Sequence, residues 1–156
     1  MTGFKFHVRA RAELLIDAAP DEVWRVLTDF AAWPQWNEGM DSQRLVELSQ
    51  PIAPGGRFAW RAKGITLTGV FARVEPPRLI RWVGRGPGLR ALHTYRLEQA
   101  GGPAGRTLVR ADEELAGWLV GLLRPRFASL AYAGLPKHLQ GLKRASEHNP
   151  VLSPKG

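Results

Sequence analysis

Cysteine is absent from the 156 residues, which excludes disulfides, thiolate metal sites and a cysteine nucleophile. No stretch approaches the roughly 20 apolar residues that a membrane-spanning helix needs. The opening Met1-Thr2-Gly3-Phe4-Lys5-Phe6 lacks the basic-then-apolar order of a secretory signal. These absences give the expectation of a cytoplasmic protein without a membrane span. Histidine is scarce, and His7, His93, His138 and His148 show no metal-ligand spacing. No cofactor or metal is therefore expected. There is no Gly-x-Ser-x-Gly elbow, and Ser129 and Ser146 have no triad context. Gly84-Arg85-Gly86-Pro87-Gly88 lacks a Gly-Lys-Ser/Thr ending and opens no helix, so it is read as a plain loop.

The formal charge is +8, a balance that often signals a phosphate-bearing partner. Its distribution points elsewhere, because the cations come one or two at a time along strand-like segments: Arg9 and Arg11, Arg57 and Arg61, Arg78 and Arg81. They read as solvated faces, and no nucleic-acid partner is expected. An anionic phospholipid surface or acidic ligand remains the alternative.

From Phe4 the apolar residues alternate: Phe4, Phe6, Val8, Ala10, Ala12, Leu14 and Ile16 point one way and Lys5, His7, Arg9, Arg11 and Glu13 the other. This is the period of a half-buried strand. Pro20-Asp21-Glu22 then opens a helix expected to run to about Phe30, with Pro in its first turn and two acids at the positive end of its dipole. Trp33-Pro34-Gln35-Trp36 predicts a second short helix set at an angle to it. Further strands follow at Gln43 to Leu48, Arg57 to Lys63, Ile65 to Val74, Arg78 to Val83, Leu89 to Glu98 and Thr107 to Leu115, separated by Gly- and Pro-rich turns. Expected one-sided sets are Phe58, Trp60 and Ala62; Val70, Ala72 and Val74; Ile80 and Trp82; His93, Tyr95 and Leu97; and Val109, Ala111, Glu113 and Leu115. From Trp118 to about Glu147 the period becomes helical, with Pro125 and Pro136 placed to bend or interrupt the helix.

No βαβ repeat occurs, so a parallel nucleotide-binding sheet is not expected. The order predicts an α+β fold: a curved seven-stranded antiparallel sheet around a long C-terminal helix, with two short helices after the first strand. Residues 1–148 form one domain in this reading and 149–156 a flexible tail. A curved sheet that outreaches its helix opens a void near its wide end.

The stretch Leu15-Ile16-Asp17-Ala18-Ala19-Pro20-Asp21-Glu22-Val23-Trp24-Arg25-Val26-Leu27-Thr28-Asp29-Phe30, followed by Trp33-Pro34-Gln35-Trp36-Asn37, resembles the opening of the SRPBCC superfamily, START-like and birch-pollen-allergen-like proteins, in its polyketide cyclase/dehydrase branch. Val74-Glu75-Pro76-Pro77-Arg78-Leu79-Ile80-Arg81-Trp82, His93-Thr94-Tyr95-Arg96-Leu97 and Glu113-Glu114-Leu115-Ala116-Gly117 are similar to the same branch. The resemblance spans about residues 10 to 147. It implies a helix-grip fold with a deep cavity between sheet and C-terminal helix, used for lipids, polyketides, hormones or other apolar molecules. It does not imply one activity, since the superfamily includes carriers, cyclases, hydroxylase ring subunits and co-chaperones. The His and carboxylate iron ligands of the ring hydroxylases have no counterpart pair here.

Three residues carry acid-base chemistry at inward positions: His93, Tyr95 and Glu113. An imidazole there could move a proton or orient a carbonyl, or serve only as a satisfied core histidine. A buried carboxylate needs a partner, which His93 or Tyr95 could supply. Trp60 and Trp82 suit a flat apolar wall for a ring system, or plain core. Trp36 would close the mouth or staple its helix to the sheet. Phe58, Val70 and Ala111 would line the sheet side and Phe127, Leu130 and Leu135 the helix side. The leading reading is a binding module whose partner is an apolar small molecule. The second is a cyclase or dehydrase using His93, Tyr95 and Glu113. The third is a helper acting on other proteins, marked by a filled interior and a large exposed apolar patch. Monomer and homodimer both remain open.

Overall fold

The computed structural model of the chain describes residues 6–147 apart from 41, 63, 103 and 104. The expected strand position of Phe4 and the expected tail at 149–156 lie outside the described residues. The elements are β1 (Val8–Ile16), α1 (Pro20–Thr28), α2 (Trp33–Trp36), β2 (Gln43–Leu48), β3 (Arg57–Ala62), β4 (Ile65–Glu75), β5 (Leu79–Gly86), β6 (Leu89–Ala100), β7 (Arg106–Ala116), α3 (Trp118–Leu122) and α4 (Arg124–Glu147). The seven strands make one antiparallel sheet in the order β1-β7-β6-β5-β4-β3-β2. The sheet curves around α4, which packs chiefly along β1 and against α1 and α2.

The alternation of β1 translates directly into burial, with Val8, Ala10 and Ile16 inside and Arg9, Arg11 and Glu13 outside. α1 places Val23, Val26 and Leu27 on its buried face. It stops at Thr28, two residues before the expected end, and Phe30 starts a separate 3-10 turn that drops its ring into the core. The Trp33 indole Nε1–H donates to the Leu27 carbonyl at 2.9 Å, which fixes the angle between α1 and α2. Thr107 Oγ1–H donates to the Ala18 carbonyl at 2.7 Å and anchors the start of β7 to the β1–α1 connection. Burying Leu27, Phe30, Phe71, Ile80, Leu139 and Leu142 stabilises the fold by roughly 1.5–3 kcal/mol for each side chain.

Two expectations require correction. The set Val70, Ala72 and Val74 does not share an inward face: Val70 is exposed and Phe71 is buried. A bulge between Phe71 and Arg73 shifts the register, so parity changes within β4, as one extra residue in a strand requires. The Gly84-to-Gly88 loop is shorter than read, because β5 continues through Gly86. The C-terminal helical region is interrupted beside Pro125, as expected: α3 ends before Leu123, and Pro125 sits in the first turn of α4, where its missing N–H costs nothing. Pro136 lies inside α4 without ending it.

Gly117 (φ +116°) turns the chain from β7 into α3. A Cβ at Gly117 would lie 2.3 Å from the Gly88 carbonyl oxygen, so only glycine lets α3 sit against the β5–β6 turn.

Candidate functional site

β5, β6 and β7 bring the predicted polar residues together. Trp82 lies opposite His93 across β5 and β6, and His93 lies opposite Glu113 across β6 and β7. The Trp82 ring stacks on His93 and on Tyr95, with centroids 5.3 Å apart in each pair. His93 Nε2 is 3.7 Å from Glu113 Oε2, and the two side chains retain 22% and 20% exposure. They form a close pair, beyond hydrogen-bond length, that solvent still reaches. Burial lowers the His93 pKa, and the Glu113 charge opposes this only in part, so the imidazole is unprotonated at neutral pH. Burial, and then the Glu113 charge, raises the Tyr95 pKa and keeps its phenol protonated.

Opposite this strand group, α2 and α4 place a polar cluster that the sequence did not single out. His138 is buried on the inner face of α4 against Trp33 at 4.8 Å, Trp36 at 5.1 Å and Tyr95 at 5.6 Å. Asn37, the residue after α2, lies with its Nδ2 2.7 Å from His138 Nδ1. The Gly39 N–H donates to Asn37 Oδ1 at 3.3 Å, which orients the amide so that Nδ2–H donates to His138. Nδ1 is then the acceptor, and the neutral ring carries its hydrogen on Nε2. Burial, and then the nearby His93, lowers the His138 pKa to about 3. Among the described residues His138 Nε2 and Trp36 Nε1 are both buried without a hydrogen-bond partner. Each is an N–H donor on this assignment, and an unpaired buried donor costs about 1–3 kcal/mol.

α2 reaches α4 this closely because of Gly141: a Cβ there would lie 2.2 Å from the Trp36 carbonyl oxygen. The remaining lining is aromatic, with Phe30, Trp33, Phe58, Phe71 and Trp82 in mutual ring contact and Trp60 6.3 Å from Trp33. Phe58, Trp60, Trp82, Tyr95, Ala111 and Leu135 are buried as expected, and Trp36 and Phe127 are half-buried at the margin.

Val70 and Leu130 are not part of the lining. The bulge in β4 turns Val70 outward, and Leu130 is 65% exposed. On α4 the inward stripe is Ala131, Leu135, His138, Leu139 and Leu142, one residue out of phase with the leucine chosen by hydropathy. The expected void also differs. Two pockets, of about 740 Å³ and 440 Å³, lie toward the α1 end of the sheet. The larger is bordered by Pro20, Arg78 and Arg96, the smaller by Trp24, Ile52 and Val74. Neither is lined by His93, Tyr95, Glu113 or any α4 residue. Among the described residues no group of three or more His, Asp and Glu could hold a metal ion.

A sheet wrapped on one long helix, with a polar patch at its inner margin, defines the helix-grip class of START-like proteins. Solved structures share it: the Zhui aromatase/cyclase of a Streptomyces species, 17% identical over 95% of this chain and 98% of that one (TM-score 0.71); a START superfamily protein from Mycobacterium smegmatis, 16% identical over 89% and 97% (TM-score 0.65); and truncated norcoclaurine synthase from Thalictrum flavum, 14% identical over 94% of each (TM-score 0.64). Identities this low establish the fold alone. The sequence places it further: residues 7–147 match the family described as polyketide cyclase/dehydrase and lipid transport, and the chain belongs to that family. No curated protein matches the chain.

Proposed function

We propose that the interior between β5–β7 and α4 binds an apolar small molecule that carries an acceptor oxygen, such as a polycyclic or lipid-like ketone. The observation that carries this reading is the pair of buried, unpartnered donors, His138 Nε2 and Trp36 Nε1. They stand on neighbouring rings within an otherwise aromatic lining. A hydrocarbon skeleton suits an aromatic lining, and a carbonyl oxygen supplies the acceptor these donors lack. Membership of a family described by cyclase, dehydrase and lipid-transport activities supports the ligand class. The test compares anthrone with anthracene in a tryptophan-fluorescence titration. The ketone is expected to bind at least tenfold more tightly, the worth of one otherwise unpaired buried donor. Equal affinities would remove the acceptor requirement, and absence of binding by both would remove the reading for ring systems of this size.

A second reading, catalysis of the cyclase or dehydrase kind, is favoured by one observation: an unprotonated His93 beside Glu113 at a solvent-accessible margin. Such an imidazole can take a proton from the carbon next to a ketone. Solvent deuterium exchange into 2-tetralone faster than in buffer, and lost in His93→Ala, would establish it. Exchange at the buffer rate would leave binding alone.

A further inference from the structure

Residues 116–146 contain five Lys or Arg and no Asp or Glu. On the same segment Trp118 and Leu122, one turn apart on α3, are each 71% exposed, and Leu130 on α4 is 65% exposed. Two of the cations are matched by acids from outside the segment: Lys143 pairs with Glu147, and Arg144 approaches Glu38 at 3.9 Å. Arg124 donates to the His7 carbonyl. Among the described residues Arg126 and Lys137 form no salt bridge, and they flank Leu130 along one outer ridge of α4. α3 leads straight into this ridge and stands on the β5–β6 turn, where the Leu119 N–H donates to the Gly88 carbonyl at 3.0 Å.

We propose that the α3 tip and the outer ridge of α4 form a docking surface for an anionic phospholipid bilayer. Large apolar side chains presented beside unmatched cations suit the boundary between headgroups and acyl chains: Trp118 and Leu122 enter it while Arg126 and Lys137 meet lipid phosphates. Charge decides among occupants. A symmetric second copy would set this acid-free ridge against itself, whereas an anionic surface complements it. Nothing in this proposal depends on what the interior holds. It does place the membrane at the end of the sheet where β7 carries Glu113 toward α3, opposite the end that holds the two pockets.

The test is flotation of the full chain with vesicles of equal parts phosphatidylglycerol and phosphatidylcholine, against vesicles of phosphatidylcholine alone. The wild type should float with the anionic vesicles and much less with the neutral ones. Trp118→Ser/Leu122→Ser should weaken partitioning by roughly tenfold or more. Arg126→Gln/Lys137→Gln should weaken it on the order of tenfold on anionic vesicles only. All four side chains are exposed, so the urea midpoints of both variants should match the wild type and confirm that loss of flotation is not unfolding. A wild type that stays with the soluble fraction overturns the proposal and leaves the patch to a protein partner. Equal flotation on neutral vesicles, or flotation that neither variant reduces, overturns it as well.

Discussion

Acid should weaken this fold through His138, and the size of the effect follows from its surroundings. The ring is enclosed by Trp33, Trp36 and Tyr95, and its Nδ1 accepts from Asn37. Protonation would place a cation among aromatic rings and turn that acceptor into a second donor facing the amide. The folded-state pKa is accordingly lowered to about 3, against about 6.5 for a histidine in the unfolded chain. Between those values the unfolded state binds a proton that the folded state refuses, so stability falls as pH falls, by about 1.4 kcal/mol per unit. From pH 6.5 to pH 5 the loss from His138 is roughly 2 kcal/mol. His93, whose pKa is also lowered, acts in the same direction. The assay is urea unfolding at pH 7, 6 and 5 for the wild type and His138→Phe. The variant leaves Asn37 Nδ2 without its acceptor and should start about 1–3 kcal/mol less stable at pH 7. Its stability should then fall less steeply, the two slopes differing by about 1.4 kcal/mol per unit below pH 6. Parallel slopes would refute the neutral, buried His138.

Three other substitutions separate core from lining. Trp82→Ala removes a ring stacked on two neighbours and 4% exposed; calorimetry or urea titration should show a loss of about 3–5 kcal/mol, and a loss under 1 kcal/mol would mean the ring faces open space. Gly141→Ala places a methyl against the Trp36 carbonyl and should cost about 1–3 kcal/mol, with a changed Trp36 indole resonance as α2 moves; a spectrum like the wild type would contradict the close packing. His93→Ala should cost less stability than Trp82→Ala, since the ring is part-exposed and among the described residues hydrogen-bonds no protein group, yet weaken anthrone binding several-fold if it contacts the ligand. Unchanged affinity would remove His93 from the site.

The sheet was legible because strand alternation is a local signal. His93, Tyr95, Ala111 and Glu113 face inward as their parity requires, in two long strands paired without a break from Arg90 to Ala100. Val70 failed for the complementary reason: a bulge at Ala72 changes parity, and no residue type near it announces the extra residue. Leu130 failed because hydropathy favours leucine over alanine, whereas close approach of α4 to the sheet favours the small Ala131. His138 has no histidine or acidic neighbour in the chain to mark it. Its partners, Asn37 and Trp36, are about a hundred residues away, and only packing of α2 onto Gly141 brings them together. The i, i+4 and i−3 spacing of His138 from Leu142 and Leu135 was the one clue that it shares the buried face.

The central claim is that the interior offers unpaired donors to a ligand oxygen. The most direct measurement follows the indole N–H resonances of the six tryptophans, assigned by substitution, as anthrone and then anthracene are added to ¹⁵N-labelled protein. The account predicts a downfield shift of the Trp36 resonance with anthrone that anthracene does not produce. A Trp36 resonance that responds to neither, or equally to both, would contradict it.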